Sequence, residues 1–159
     1  MKHLTVLVIL LVCVSSSLAA EVAALADGKK LRCPVCGMFV APYADWNATI
    51  TFTDAPAAVF DGSKDMFKYH LDMKKYAPSR SRDSISSIMV KDYFSKQDTD
   101  ALKAYYVIWG DVYGPMGHEP IPFQNESDAR KFLIEHHGKK VLRFNDITLK
   151  LLHSLDNPE

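Results

Sequence analysis

Between residues 47 and 60 the chain is written with period two. Over residues 47–53, Ala48, Ile50 and Phe52 alternate with Asn47 and three threonines, which predicts a half-buried strand. A second short strand is expected at 57–60, and Asp61, Gly62 and Ser63 then turn the chain into a helix. There the period changes: Met66, Phe67, His70 and Leu71 share one helical face, and Pro78 lies beyond its end. Residues 84–90 read as a third strand. The second half repeats this order. Residues 104–109 are rich in aromatic and β-branched side chains and predict a strand, and 121–123 predict a short one. Asn125 is placed to cap a helix with Asp128 at its third position. Ala129, Phe132, Leu133 and His136 make the buried face of that helix, and Gly138 is expected to end it. Residues 141–144 return as a strand, and 147–155 predict a closing helix.

The two halves match piece by piece. Phe60-Asp61-Gly62 precedes a helix containing Phe67, as Phe123-Gln124-Asn125 precedes one containing Phe132. Val90-Lys91-Asp92 and Phe144-Asn145-Asp146 end the two return strands. The expected fold class is α+β: two β-β-α-β modules, residues 31–93 and 104–146, an internal duplication packed as one compact unit over 31–155. Residues 91–103 are expected to connect the halves.

The N-terminus carries an address. Lys2 precedes a mostly apolar run over 4–14, followed by Ser15, Ser16, Ser17, Leu18 and Ala19. A basic start, a short apolar core and a small-residue exit describe a secretory signal peptide, residues 1–19, with a polar lead-in at 20–30. The run is shorter than the ~20 residues a spanning helix needs. A lipid anchor at Cys13 is disfavoured, because a small residue should precede a modified cysteine and Val12 stands there. Cleavage after Ala19 removes Cys13 and leaves Cys33 and Cys36 in an exported, periplasmic protein. Across 159 residues, 19 Lys and Arg balance 19 Asp and Glu, so no basic surface is expected and nucleic acid is not an anticipated partner.

Candidate chemistry gathers in two segments. In Cys33-Pro34-Val35-Cys36-Gly37-Met38, two thiols at i and i+3 can face one centre or each other. A thiol–disulfide oxidoreductase is one reading, with Cys33 as nucleophile and Cys36 resolving; such a pair normally opens a helix, and here Pro42 stops the apolar run over 37–41. Structural zinc is a second, short of two ligands here. A soft-metal site is a third, since thiolates with the thioether of Met38 suit monovalent copper. A metal-free scaffold with paired cysteines stands beside them. The second segment, Gly114-Pro115-Met116-Gly117-His118-Glu119-Pro120, places a thioether and an imidazole two residues apart in a loop. Redox chemistry has no use for Met38, Met116 or His118, whereas copper does. His136 and His137 fit charge complementation at a helix end.

Taken together these residues resemble the NosL family: Cys33 to Met38 with Gly37 in place, Phe60-Asp61-Gly62 followed by Asp65-Met66-Phe67, Asp100-Ala101 followed by Ala104-Tyr105-Tyr106-Val107, and Pro115-Met116-Gly117 followed by Ile121-Pro122-Phe123. The likeness runs from about residue 31 to 146. It implies paired β-β-α-β modules and a copper(I)-binding metallochaperone that is not an enzyme. It further implies partnership with nitrous-oxide reductase, or its apo form, and with a membrane ABC-type maturation complex. On that basis Cys36 is the principal expected ligand, with Met38 and Met116 as thioether candidates and Cys33 and His118 next. Family members commonly carry a lipid-modified cysteine, and the pair Val12-Cys13 departs from that pattern.

Overall fold

Strand β1 (Ala48–Phe52) buries Ala48, Ile50 and Phe52 and leaves the threonines between them half-buried, as the alternation requires. The computed structural model describes residues 30–157. The expected signal segment, Cys13 and the lead-in up to residue 29 lie outside the described residues. After β1 the chain forms β2 (Ala58–Phe60), helix α1 (Ser63–Leu71), one turn of helix α2 (Met73–Tyr76) and β3 (Ile85–Lys91). There follow β4 (Asp98–Asp100), β5 (Tyr105–Ile108), β6 (Ile121–Phe123), α3 (Glu126–Glu135), β7 (Lys140–Arg143) and the closing α4 (Leu149–Asp156).

Two antiparallel sheets result, in the orders β2-β1-β3-β4 and β6-β5-β7. Each places its first strand centrally, with the second strand on one side and the post-helical return strand on the other. In the first module Ala48 lies opposite both Phe60 and Val90. In the second, Tyr105 lies opposite both Phe123 and Arg143. The paired β-β-α-β plan is therefore present in both halves.

Strand β5 locks the halves together. Tyr106 and Ile108 point into the larger core with Phe60, Phe67 and Leu152, while Val107 points into a second cluster with Phe123 and Phe132. The Phe67 ring meets Tyr106 at 5.1 Å and Phe144 at 4.9 Å, centroid to centroid, so a helix of the first module packs on the second. A strand buried on both faces has no need of polar alternation, which is why β5 reads as a continuous apolar run.

Several elements depart from expectation. The connector is not plain loop: Asp98, Thr99 and Asp100 form β4 on the edge of the first sheet, a strand with no apolar alternation to announce it. The helix before Pro78 breaks at Asp72 and restarts as α2, with the Asp72 carboxylate accepting from Lys75 N–H at 3.3 Å. Trp109 lies outside β5 because its φ of 64° turns the chain away. Asn125 stands at the N-cap of α3 without a capping bond to backbone; its amide donates instead to Asp128. At the other end of α3, His137, not Gly138, takes the left-handed φ of 55°. His136 meets Asp111 at 2.9 Å. Among the described residues no helix is long and apolar enough to cross a membrane.

Candidate metal site

The two cysteines sit in a tight hairpin. Val40 N–H donates to Leu31 C=O at 3.1 Å and Cys33 N–H to Met38 C=O at 2.8 Å, closing the base. Gly37 N–H returns to Cys33 C=O at 2.9 Å, and Gly37 takes a φ of +78° that a side chain would resist. The hairpin is thus a loop held by backbone bonds and is not the first turn of a helix. Cys33 is 1% exposed, while Cys36 is half-buried.

Against this hairpin the first module presents two carboxylates. Asp61 follows β2 directly and Asp65 lies in the first turn of α1, so the strand-to-helix turn at Gly62 brings both to one spot. The Cys33 thiol donates to Asp65 at 3.3 Å and the Cys36 thiol to Asp61 at 3.5 Å. One ligand atom from each of the four side chains lies within 4.8 Å of all the others, so the thiols share the carboxylates between them. Asp61 and Asp65 are fully buried, and Oδ1 of each has no hydrogen-bond partner among the described residues. Burial pushes the Cys33 thiol far above its ordinary range, helped by the Asp65 charge. Burial likewise pushes the Cys36 thiol up to about 11. The Asp65 carboxyl is also raised by burial, against the lowering effect of the thiol hydrogen bonds. Both thiols therefore hold their protons near neutral pH in the metal-free protein, and a metal must displace them. A compact set of buried acids with orphaned oxygens is suited to receive a cation.

Cys36 lines two spaces. One is a cleft of about 360 Å³ lined also by Asp65, Lys68, Met116, His153 and Asp156, among others. The other, a more open groove, is lined by Cys36 with Met38, Phe39, Pro42 and Tyr43. Met116 occupies a tight turn in which Gly114 and Gly117 exchange backbone bonds of 2.8 and 3.1 Å. The structure thus gathers Cys33 with Cys36, and Met116 and Met38 each line a different space that Cys36 also lines. It does not bring His118 to either space. That imidazole packs against the rings of Trp109 and Tyr113, at 5.1 and 4.7 Å, and burial with the Lys64 and Lys139 charges lowers its pKa.

Sequence reasoning placed Asp61 in a turn and Asp61 and Asp65 within the family resemblance, but assigned no metal-site role to either, nor to Lys64 or Glu119. The available signal was the pair of aspartates four residues apart around a strand-to-helix turn. An acidic residue at a helix start reads equally well as a solvated cap, so spacing alone did not separate the two.

Several known proteins are similar to this chain. The copper chaperone NosL from Shewanella denitrificans, a crystal structure, superposes with a TM-score of 0.64 at 21% identity, covering 77% of this chain and 92% of that one. The solution structure of apo-NosL from Achromobacter cycloclastes is 26% identical over 66% of this chain and 87% of that one, with a TM-score of 0.46. In sequence, 53 residues are 45% identical to the copper-binding lipoprotein NosL of Stutzerimonas stutzeri, a match spanning 33% of this chain and 27% of that protein. The NosL family model matches residues 24–152, most of the length, and the chain belongs to the NosL family.

Proposed function

We propose that this protein is an exported copper(I) carrier, not an enzyme, that delivers its ion for the maturation of nitrous-oxide reductase. The observation that carries the reading is the cluster of Cys33, Cys36, Asp61 and Asp65 beneath a cleft that Met116 also lines. Copper(I) has a filled d shell and favours soft sulfur donors at low coordination number. Cys36 is the principal thiolate, Cys33 the second, and Met116 the thioether that reaches the ion from the other module. Met38 borders the more open groove, where an acceptor's ligand can approach while the donor's remains attached. The buried carboxylates hold the thiols in the empty site and supply negative charge around the ion. The ion is cargo, so an open side serves release better than four enclosing ligands.

Membership of the NosL family supports this reading, as do the copper-binding names its relatives bear. The acceptor is nitrous-oxide reductase or its apo form, reached with a membrane ABC-type maturation complex. The N-terminal signal directs the chain to the periplasm. Mass spectrometry of protein from a native host should find a mature N-terminus near Ala20. A diacylglyceryl group on Cys13 would overturn that part and add an anchor.

A thiol–disulfide oxidoreductase is a poorer match. Its nucleophile needs a depressed thiol pKa, usually from a helix N-terminus, and both thiols here are raised and lie in a hairpin. The deciding experiment is anaerobic metal competition on the reduced protein, with thiol-exchange activity measured in parallel. About one copper(I) per chain and no exchange activity is the expected result. Zinc held more tightly than copper would sink the carrier reading.

A further inference from the structure

Two ionisable side chains lie almost wholly inside this protein with no part in the thiol cluster: Lys64 at 0% and Glu119 at 2% exposure. Buried charges are poor stabilisers, because desolvation consumes most of what pairing returns, so their placement calls for another explanation. Both converge on a single residue. The Glu119 carboxylate accepts from Met116 N–H through Oε1 at 3.2 Å. The Lys64 ammonium donates to Met116 C=O. Met116 is thus gripped at both ends of its backbone, a degree of fixation that a methionine serving as loop filler does not need.

The grip also spans the two modules. Through Oε2, Glu119 accepts from Lys64 N–H at 3.1 Å, and so sits on the first turn of α1 between Asp61 and Asp65. The Ser63 hydroxyl beside it donates to the closer Pro120 C=O at 2.6 Å, tying the same loop to α1. The surrounding backbone is shaped to admit it. A Cβ on Gly62 would stand 2.5 Å from Glu119 Oε1, and one on Gly114 would stand 2.7 Å from its Cγ. Lys64 is secured in turn by Asp156 of α4 at 2.9 Å.

We infer that Glu119 and Lys64 form a clamp that sets the Met116 thioether at its working distance from Cys36, making Glu119 a positioning residue for copper binding. The inference rests on the proposed copper reading and deepens it. A ligand on a loop of one module and a thiolate on a hairpin packed against the other cannot keep register unless something joins the two supports. Glu119 is that joint, attached to the Met116 turn on one side and to the helix bearing Asp65 on the other.

The test uses the full mature chain, with copper(I) as the probe in anaerobic competition. Glu119→Gln keeps size and shape but loses the charged acceptor. It should fold, and its copper affinity should fall by roughly 10–100-fold, the range typical of removing a group that orients a ligand. Met116→Leu should show a loss of the same order. The diagnostic is the double variant: Glu119→Gln with Met116→Leu should bind no more weakly than Met116→Leu alone, since the clamp acts through that thioether. Full additivity, or undiminished affinity in Glu119→Gln while Met116→Leu is weakened, overturns the clamp alone. Undiminished affinity in Met116→Leu overturns the ligand reading beneath it. Should Glu119→Gln fail to fold, Lys64→Met removes the other jaw and must give the same non-additive loss. In the unmodified protein the Met116 amide should exchange slowly with solvent deuterium, and exchange at the rate of a free loop would overturn the clamp without any variant.

Discussion

Serine differs from cysteine by one atom, and that atom decides whether position 36 holds a soft ion. Cys36→Ser leaves a hard, weakly acidic hydroxyl beside Asp61, so copper(I) affinity should fall by more than the ~10–100-fold expected for a group that only orients a ligand. Met116→Leu is gentler on the fold. The side chain is half-exposed on the cleft wall and leucine nearly matches its volume, so stability should change by less than ~1.5 kcal/mol while copper binding weakens. Thermal melts alongside copper competition separate the two effects. An oxidoreductase predicts the reverse pattern, with exchange activity lost in either cysteine variant and indifference at Met116; that result would replace the carrier reading.

At the scale of elements, strands and helices with an apolar pattern, periodic or continuous, were legible, and β4, which has none, was not. Ala48, Ile50 and Phe52 declare β1, and Phe67 and Phe132 declare the two long helices of the modules, because their burial follows from local alternation. Strand β4 consists of Asp98, Thr99 and Asp100, whose pairing with β3 is decided by an edge elsewhere in the chain. The site divides the same way. Thiols and thioethers advertise their chemistry by type, whereas Asp61, Asp65 and Glu119 matter because tertiary packing buries them, and carboxylates ordinarily stay in solvent. Helix α4 illustrates the consequence. Thr148 caps it, accepting from Leu151 N–H at 3.2 Å, and Leu152 and Leu155 enter the core. Its last turn holds Asp156, a charge that the helix dipole disfavours there. The cause is tertiary: Lys64 and Lys68 of α1 meet it at 2.9 and 2.8 Å. Asp156→Asn should therefore destabilise the protein by about 1–3 kcal/mol, because the Lys64 ammonium stays buried without its counter-charge. Urea midpoints would read it, and an unchanged midpoint would mean that Leu152 and Leu155 alone dock α4.

For the molecule as a whole, the question is what holds the two modules together. Beyond the shared core around Phe67 and Tyr106, and away from the Glu119 contact with α1, a second carboxylate spans the junction. Asp92, immediately after β3, accepts through Oδ1 from Phe94 N–H, Ser95 N–H and Ser95 Oγ, and through Oδ2 from Gln124 N–H, just past β6, at 2.7 Å. Tyr93 N–H adds a bond to Pro122 C=O at 2.9 Å. Burial works against the Asp92 charge, but the donors from Ser95, Gln124 and Phe94 outweigh it and hold the carboxyl below its ordinary value. A depressed folded-state pKa means that the unfolded chain takes up the proton first as acid is added. The stabilisation is therefore complete above about pH 4, the range of an unperturbed aspartate, and drains away as pH falls through the lower folded-state value. Asp92→Asn should cost about 1–3 kcal/mol at neutral pH, since an amide cannot accept at both positions as a carboxylate does. The gap between variant and parent should narrow on acidification below about pH 4. Denaturant melts of the two proteins from neutral pH down into the acid range measure this directly. A gap independent of pH would show that the ionised carboxylate is not what joins the modules. Two separate transitions in the variant, where the parent shows one, would show that it is also what makes them cooperative.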